Sequence, residues 1–240
     1  MPAQARAHRQ ILRALRRFPI RIRCMIDGIR FKVCGLTSLV DAEFADRCGA
    51  DYLGFIFYPQ SPRAISLTQF RAMQTQLPPR KKVAVSVEPL LQDLVTQAAA
   101  GADFFQIHFS HDTPLEKIRA WSQTVGPRKL WLAPRLPPHF DVATAWLPLA
   151  DTFLLDKFDA EKFGGTSQTG DWDKFSRHQL AHPRHTWILS GGLGPDNIVA
   201  ALAKSRARFV DVNSGVESAP GVKDFEKLKK FVVRLHERES

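Results

Sequence analysis

Hydrophobic positions along this chain alternate between two periods. Short apolar runs are followed by segments in which apolar residues recur every three or four positions, and the alternation persists from about residue 31 to about residue 236. Residues 31–34 read as a first strand. Thr37 and Ser38 give a helix start before an amphipathic run with Leu39, Ala42, Phe44 and Ala45, and residues 52–57 read as a second strand. A connection of that length is a crossover helix rather than a hairpin, so the two strands are expected to be parallel.

Further strands are predicted at 82–87, 103–108, 129–133, 152–156, 186–190 and 209–212. Between them, Ser66 caps a helix to about Gln76, Pro89 opens one that stops at Gly101, and Thr113-Pro114 open one that ends at Gly126-Pro127. A weaker helix is expected over 142–147. Pro195 opens another to about Ala203, and Lys223 begins a last one that runs to about His236. Eight strand–helix repeats without a long interruption predict a single (β/α)8 TIM barrel with no second domain. The longest polar loop, 157–170, contains Gly164-Gly165 and suits a flexible lid or a close approach to a ligand, which makes Gly165 a candidate contact.

Composition narrows the class. With 240 residues, of which 44% are hydrophobic, the chain can bury a substantial core. No apolar run approaches the roughly 18 residues that cross a bilayer, and no apolar segment with a small-residue cleavage site follows the amino terminus, so no membrane partner is expected. Cys24, Cys34 and Cys48 are odd in number and lack C-x-x-C spacing. That argues against a disulfide framework or a zinc site and for a reducing cytoplasm, where a special cysteine is special by reactivity. The net charge of +10 is concentrated at one end: residues 1–24 hold seven arginines and no acidic residue, which leaves +3 for the remainder. We read 1–24 as a basic, disordered extension or an over-long start before Met25, ahead of a catalytic domain at 25–240. An amphipathic helix for RNA or an anionic membrane and a targeting peptide are the alternatives for that segment. The nearly balanced body makes nucleic acid an unexpected partner.

In a barrel of this kind chemistry belongs to strand ends and the loops after them. Cys34-Gly35 ends the first strand. Ser190-Gly191-Gly192-Leu193-Gly194-Pro195-Asp196-Asn197 follows the seventh strand, and Asn213-Ser214-Gly215-Val216-Glu217 follows the eighth. Glycine-rich backbone at these two places suits a phosphate held by N–H groups and a helix terminus, with Gly191, Gly192, Ser214 and Gly215 as contacts, although either loop alone could be a tight turn. His178, His182 and His185 have loosely metal-like spacing, but Pro183 breaks the helix they would need, and no metal is expected.

Five segments in order carry a family resemblance: K-V-C-G-L-T at 32–37, G-F-I-F-Y-P-Q-S-P-R at 54–63, L-L-D at 154–156 with G-G-T at 164–166, L-S-G-G-L-G-P-D-N-I at 189–198, and V-D-V-N-S-G-V-E at 210–217. Together they closely resemble the phosphoribosylanthranilate isomerases of tryptophan biosynthesis. The resemblance implies a monomeric or homodimeric barrel without a cofactor that converts a phosphorylated small-molecule aminoaldose, N-(5'-phosphoribosyl)anthranilate, to the aminoketose by an Amadori rearrangement. It implies Cys34 as the base and Asp156 as the acid, Arg63 as the holder of the anthranilate carboxylate, and His108 and Asp211 as residues lining the sugar. A thiol needs a modestly lowered pKa to act near neutrality, and an aspartate must be raised by burial to hold a proton. The chain departs from the family at Ser167, Gln168, Thr169 and Gly170, at Phe109 where glycine is usual, and at Asn213 where serine is usual. Two other readings stay open on the sequence: a barrel isomerase of another phosphorylated aminosugar, and a non-catalytic ligand- or RNA-binding derivative.

Overall fold

The opening strand–helix–strand unit forms as its pattern predicts. In the computed structural model, which describes residues 28–156 and 171–237, β1 (Arg30–Val33) leads into α1 (Leu39–Arg47), and the Ser38 hydroxyl accepts the Asp41 N–H at the helix start. The expected extension at 1–24 and the loop 157–170 with Gly165 lie outside the described residues. The order continues with β2 (Tyr52–Ile56), α2 (Leu67–Gln74), β3 (Lys81–Val87), α3 (Leu91–Ala99), β4 (Phe104–Ser110), α4 (Leu115–Val125), β5 (Leu130–Arg135) and β6 (Thr152–Leu155). After the second described stretch begins come α5 (Trp172–Ala181), β7 (Thr186–Leu189), α6 (Ile198–Ser205), β8 (Phe209–Val212), a hairpin of β9 (Glu217–Ala219) and β10 (Val222–Lys223), and α7 (Phe225–His236). Strands β1 to β8 pair in parallel and in sequence, and β1 closes on β8 with Lys32 opposite Asp211. The chain is a single (β/α)8 barrel.

Five elements differ from the sequence pattern. The segment expected as a helix over 142–147 is a 3-10 helix at Thr144–Leu149, because Pro148 lies inside it and has no N–H to give to an α-helical bond. Helix α5 has no counterpart among the elements expected from the sequence. Asp171 caps it by accepting the Lys174 N–H at 2.8 Å, and Phe175 and His178 turn to the core. Pro89 and Pro195 precede their helices rather than open them, with starts at Leu91 and Ile198. Lys223, expected to begin the last helix, instead sits in the β9–β10 hairpin; Asp224 caps α7 by accepting the N–H groups of Glu226 and Lys227 at 3.0 Å.

Strand alternation divides the barrel interior into tiers. At the amino-terminal end of the strands, Tyr52, Phe104, Trp131 and Phe209 meet ring to ring, with Tyr52 5.1 Å from Trp131 and 5.0 Å from Phe209, centroid to centroid. Two residues further along the same strands come Gly54, Gln106, Ala133 and Asp211, joined by Lys32 from β1. Another step brings Ile56 and His108 to the mouth, together with Cys34 just beyond β1. A second and larger apolar layer fills the space between the sheet and the helices.

The aromatic tier should carry a large share of the stability without touching the mouth. Trp131→Ala removes a side chain that is 2% exposed and is expected to cost about 3–5 kcal/mol, the range for emptying a large aromatic site. Urea unfolding checks it; a cost below about 1 kcal/mol would show that the neighbouring rings collapse into the gap.

Candidate active site

The mouth of the barrel is a cavity at the carboxyl ends of the strands, and its wall brings together Cys34, Arg63, His108, Asp156, Gly191, Gly192, Asp211 and Ser214. Eight of the ten residues singled out from the sequence therefore converge. Gly165 lies outside the described residues, and Gly215 is not on the wall. Gly215 serves the packing of the loops instead. A Cβ there would stand 2.0 Å from the Leu193 carbonyl oxygen, so its bare backbone is what lets the loops after β7 and β8 touch.

Cys34 lines the cavity and is 3% exposed. Burial raises its thiol above the ordinary value, and the nearby Lys32 ammonium pulls it back only part of the way. This corrects the expectation of a lowered pKa: the net shift of the Cys34 thiol is upward. Lys32 looks like a strand flank in the sequence, yet K-V-C spacing puts it on the same inward face as the cysteine, which is the signal that could have found it. It is wholly buried; its Nζ donates to Asp211 Oδ2 at 2.9 Å and to Gln106 Oε1 at 2.8 Å. Burial alone disfavours the ammonium, but Asp211 and Cys34 outweigh it and hold the Lys32 pKa above its usual value. Gly54 on β2 leaves the room: a Cβ there would come within 2.7 Å of Lys32 Cε and 3.0 Å of Cys34 Sγ.

The chain of donors runs on from Lys32 and settles the state of His108. An ammonium only donates, so the Gln106 oxygen faces Lys32 and its amide nitrogen faces His108 Nε2, 2.8 Å away. Nε2 is then an acceptor, and the neutral ring carries its proton on Nδ1. Burial first, and the Lys32 charge second, push the His108 pKa down to about 4. Asp211 Oδ1 is buried at the wall of the cavity and has no hydrogen-bond partner among the described residues, which leaves an acceptor for a ligand hydroxyl.

Arg63 reaches the wall from the loop after β2. Its Nε lies 2.9 Å from Glu217 Oε1 and its Nη2 2.7 Å from Glu217 Oε2. Glu217 also accepts from Lys223 Nζ at 2.8 Å. Burial would raise the Glu217 carboxyl, but Arg63 and Lys223 together hold it below the usual carboxylate range. Sequence reasoning gives neither Glu217 nor Lys223 a place in the site, because the hairpin that carries them has no periodic pattern to reveal it. At the phosphate-like loops, Gly191 and Gly192 have φ of 94° and 63°, the left-handed region that favours glycine, and both line the cavity. The Gly194 N–H is taken by Asn197 Oδ1 at 2.9 Å, so it is not open to a ligand. Away from the mouth, His178 stacks on Trp187, and among the described residues no group of three His, Cys, Asp or Glu side chains is arranged to hold a metal.

Residues 31–234 match the family described as N-(5'phosphoribosyl)anthranilate (PRA) isomerase. The chain belongs to this family. It is 37% identical over 211 residues to N-(5'-phosphoribosyl)anthranilate isomerase from Cellvibrio japonicus, covering 85% of this chain and 92% of the relative. The crystal structure of phosphoribosyl anthranilate isomerase from Thermus thermophilus superposes with a TM-score of 0.72 at 32% identity, covering 87% and 99% of the two chains. A phosphoribosyl anthranilate isomerase in complex with reduced 1-(o-carboxyphenylamino)-1-deoxyribulose 5-phosphate gives a TM-score of 0.67 at 31% identity, covering 86% and 98%. The activity is the isomerisation of N-(5'-phosphoribosyl)anthranilate in tryptophan biosynthesis.

The His108 assignment has a consequence for pH. A histidine of pKa about 4 when folded and about 6.5 when unfolded binds fewer protons in the native state between those values, so stability falls as pH drops from 6.5 towards 4. His108→Asn removes that proton uptake. Urea midpoints measured from pH 7 to pH 4 should fall less steeply for the variant than for the parent, and equal slopes would mean that His108 is not held neutral by its surroundings.

Proposed function

We propose that Cys34 and Asp156 are the proton-transfer pair of the rearrangement. What carries the assignment is their meeting in one cavity: a cysteine just past β1 and an aspartate just past β6 line the same mouth. Asp156 gives a proton to the furanose ring oxygen; the ring C–O bond breaks and the nitrogen lone pair forms the protonated Schiff base. The Cys34 thiolate then takes the proton from the adjacent sugar carbon, and the electrons of that C–H bond move to the iminium to give the enamine, which tautomerises to the ketone. Asp211 Oδ1 and His108 hold the sugar.

The two ends of the substrate take different partners. The Ser190-Gly191-Gly192 turn and Ser214 receive the phosphate. Arg63 receives the anthranilate carboxylate: with Nε and one Nη2 hydrogen given to Glu217, the remaining N–H groups lie along the Nη1–Nη2 edge, the end-on fork that matches a carboxylate. The protein acts in the cytoplasm as a monomer or homodimer, with this phosphorylated small molecule as its ligand. Residues 1–24 are an extension that the reaction does not use, a reading supported by the family match beginning at residue 31.

Each proton transfer is worth about 10² to 10⁴ in rate. Cys34→Ala and Asp156→Asn should each lower kcat by at least the lower of these factors while reduced 1-(o-carboxyphenylamino)-1-deoxyribulose 5-phosphate still binds, as measured by anthranilate fluorescence. Near-parental turnover in either variant would remove that residue from the mechanism.

Arg63→Ala should weaken substrate binding by about 1.5–3 kcal/mol, the range for hydrogen bonds to a charged group. A phosphoribosyl aniline lacking the carboxylate should bind parent and variant alike. Equal losses for both ligands, measured by titration calorimetry, would give Arg63 a structural role instead.

A further inference from the structure

The proposed base is buried, and a buried thiol does not ionise without a matching charge. The groups that face Cys34 are Lys32 from its own strand, Asp211 from β8, Lys223 from the hairpin, and His108, Arg63 and Asp156 around the mouth. His108 is neutral and Asp211 opposes a thiolate. Lys223 and Arg63 share the single Glu217 carboxylate, which leaves one positive charge in that cluster, but Lys223 acts on the thiol less strongly than Lys32 does. Lys32 differs in placement. Its aliphatic chain lies beside the sulfur over Gly54, where a single added carbon would touch both, and its Nζ is fixed from two other strands.

We propose that Lys32 is a positioning residue for the base: pinned by Asp211 and Gln106 beneath Cys34, its ammonium supplies the fixed positive charge that lowers the cost of a thiolate at this buried position, whose contact with solvent is through the mouth. The proton leaves Cys34 to solvent before substrate enters, and Lys32 neither gains nor loses one. Asp211 and Gln106 keep the ammonium from swinging up to pair with the substrate's own anions, and Gly54 keeps the approach open. This inference rests on the assignment of Cys34 as the base, but the link between lysine and sulfur is measurable without turnover.

The sign is fixed by electrostatics. Removing a cation beside a thiolate raises the thiol pKa, and burial already holds it above the ordinary value. In the full chain with Cys24→Ser and Cys48→Ala, Cys34 is the one remaining thiol, and its reaction with a small methanethiosulfonate reagent followed against pH gives its titration. Lys32→Met should move that midpoint upward by about one pH unit or more. It should also lower kcat/KM at pH 7 about tenfold or more, with the change in kcat rather than KM, and the deficit should shrink as pH rises.

Because Lys32→Met leaves Asp211 buried and unpaired, the neutral pair Lys32→Met with Asp211→Asn serves as the second variant. It should shift the thiol titration in the same direction by less, since a charge that opposes the thiolate leaves with the lysine. A folded variant of either kind whose Cys34 titrates as in the parent overturns the proposal. Cys34→Ala separates the two levels: an active Cys34→Ala enzyme removes the base assignment, whereas an inactive one beside an unshifted Lys32 variant removes only the role of Lys32.

Discussion

An ammonium with no solvent contact sits in the middle of this barrel, and the fold has to supply everything water would have given it. Leaving such a charge unmatched would cost several kcal/mol. Lys32 is matched by a carboxylate on β8 and an amide on β4, while β2 contributes only the space above Gly54. The pair also lies on the seam where β1 and β8 close the sheet, with Lys32 and Asp211 directly opposite in register. A slip of β1 by one residue in that pairing would turn Lys32 outward into the apolar layer beneath the helices and leave Asp211 buried without it, so the same contact that satisfies the lysine penalises misregistered closure.

The tiers above and below depend on this middle one being dry. The aromatic floor of Tyr52, Phe104, Trp131 and Phe209 packs ring to ring at the amino-terminal end, opposite the mouth. In that low-dielectric interior a single fixed charge is felt by every titratable group around it. The same Lys32 that favours a thiolate at Cys34 disfavours a proton on His108, and through Gln106 it also dictates which histidine nitrogen is free to accept. One buried cation therefore acts on two neighbouring groups, in both cases beside burial, which is the larger cause: it opposes burial at Cys34 and adds to it at His108.

Much of this is legible in the sequence, and the boundary is physical. All eight strands stand out by their short apolar runs, and the strand ends then point to Cys34, while Asp156, His108 and Asp211 are singled out by the family resemblance. Lys32 escapes notice since an isolated lysine within a strand looks like a polar flank, and only closure of the barrel shows that its side chain has nowhere to go but inward. Glu217 and Lys223 escape it because a hairpin of three and two residues has no period to detect. The thiol pKa moves the opposite way from the expectation because a sequence does not carry the depth of burial, and desolvation outweighs the favourable lysine.

The arrangement of the remaining charges follows from the same need to leave Lys32 undisturbed. The substrate is anionic at both ends, and a mobile anion near the barrel axis would compete with the thiolate for the ammonium. In the proposed binding mode the phosphate is taken by backbone N–H groups at Gly191 and Gly192, which bring partial charges and no competing ion. The carboxylate is taken by Arg63, a cation whose plane is fixed and whose charge is partly offset by Glu217, itself shared with Lys223. Glycine turns on one side and a pre-paired arginine on the other hold both anions at the rim, so the field at Cys34 stays the field of Lys32 and Asp211 whether or not substrate is bound.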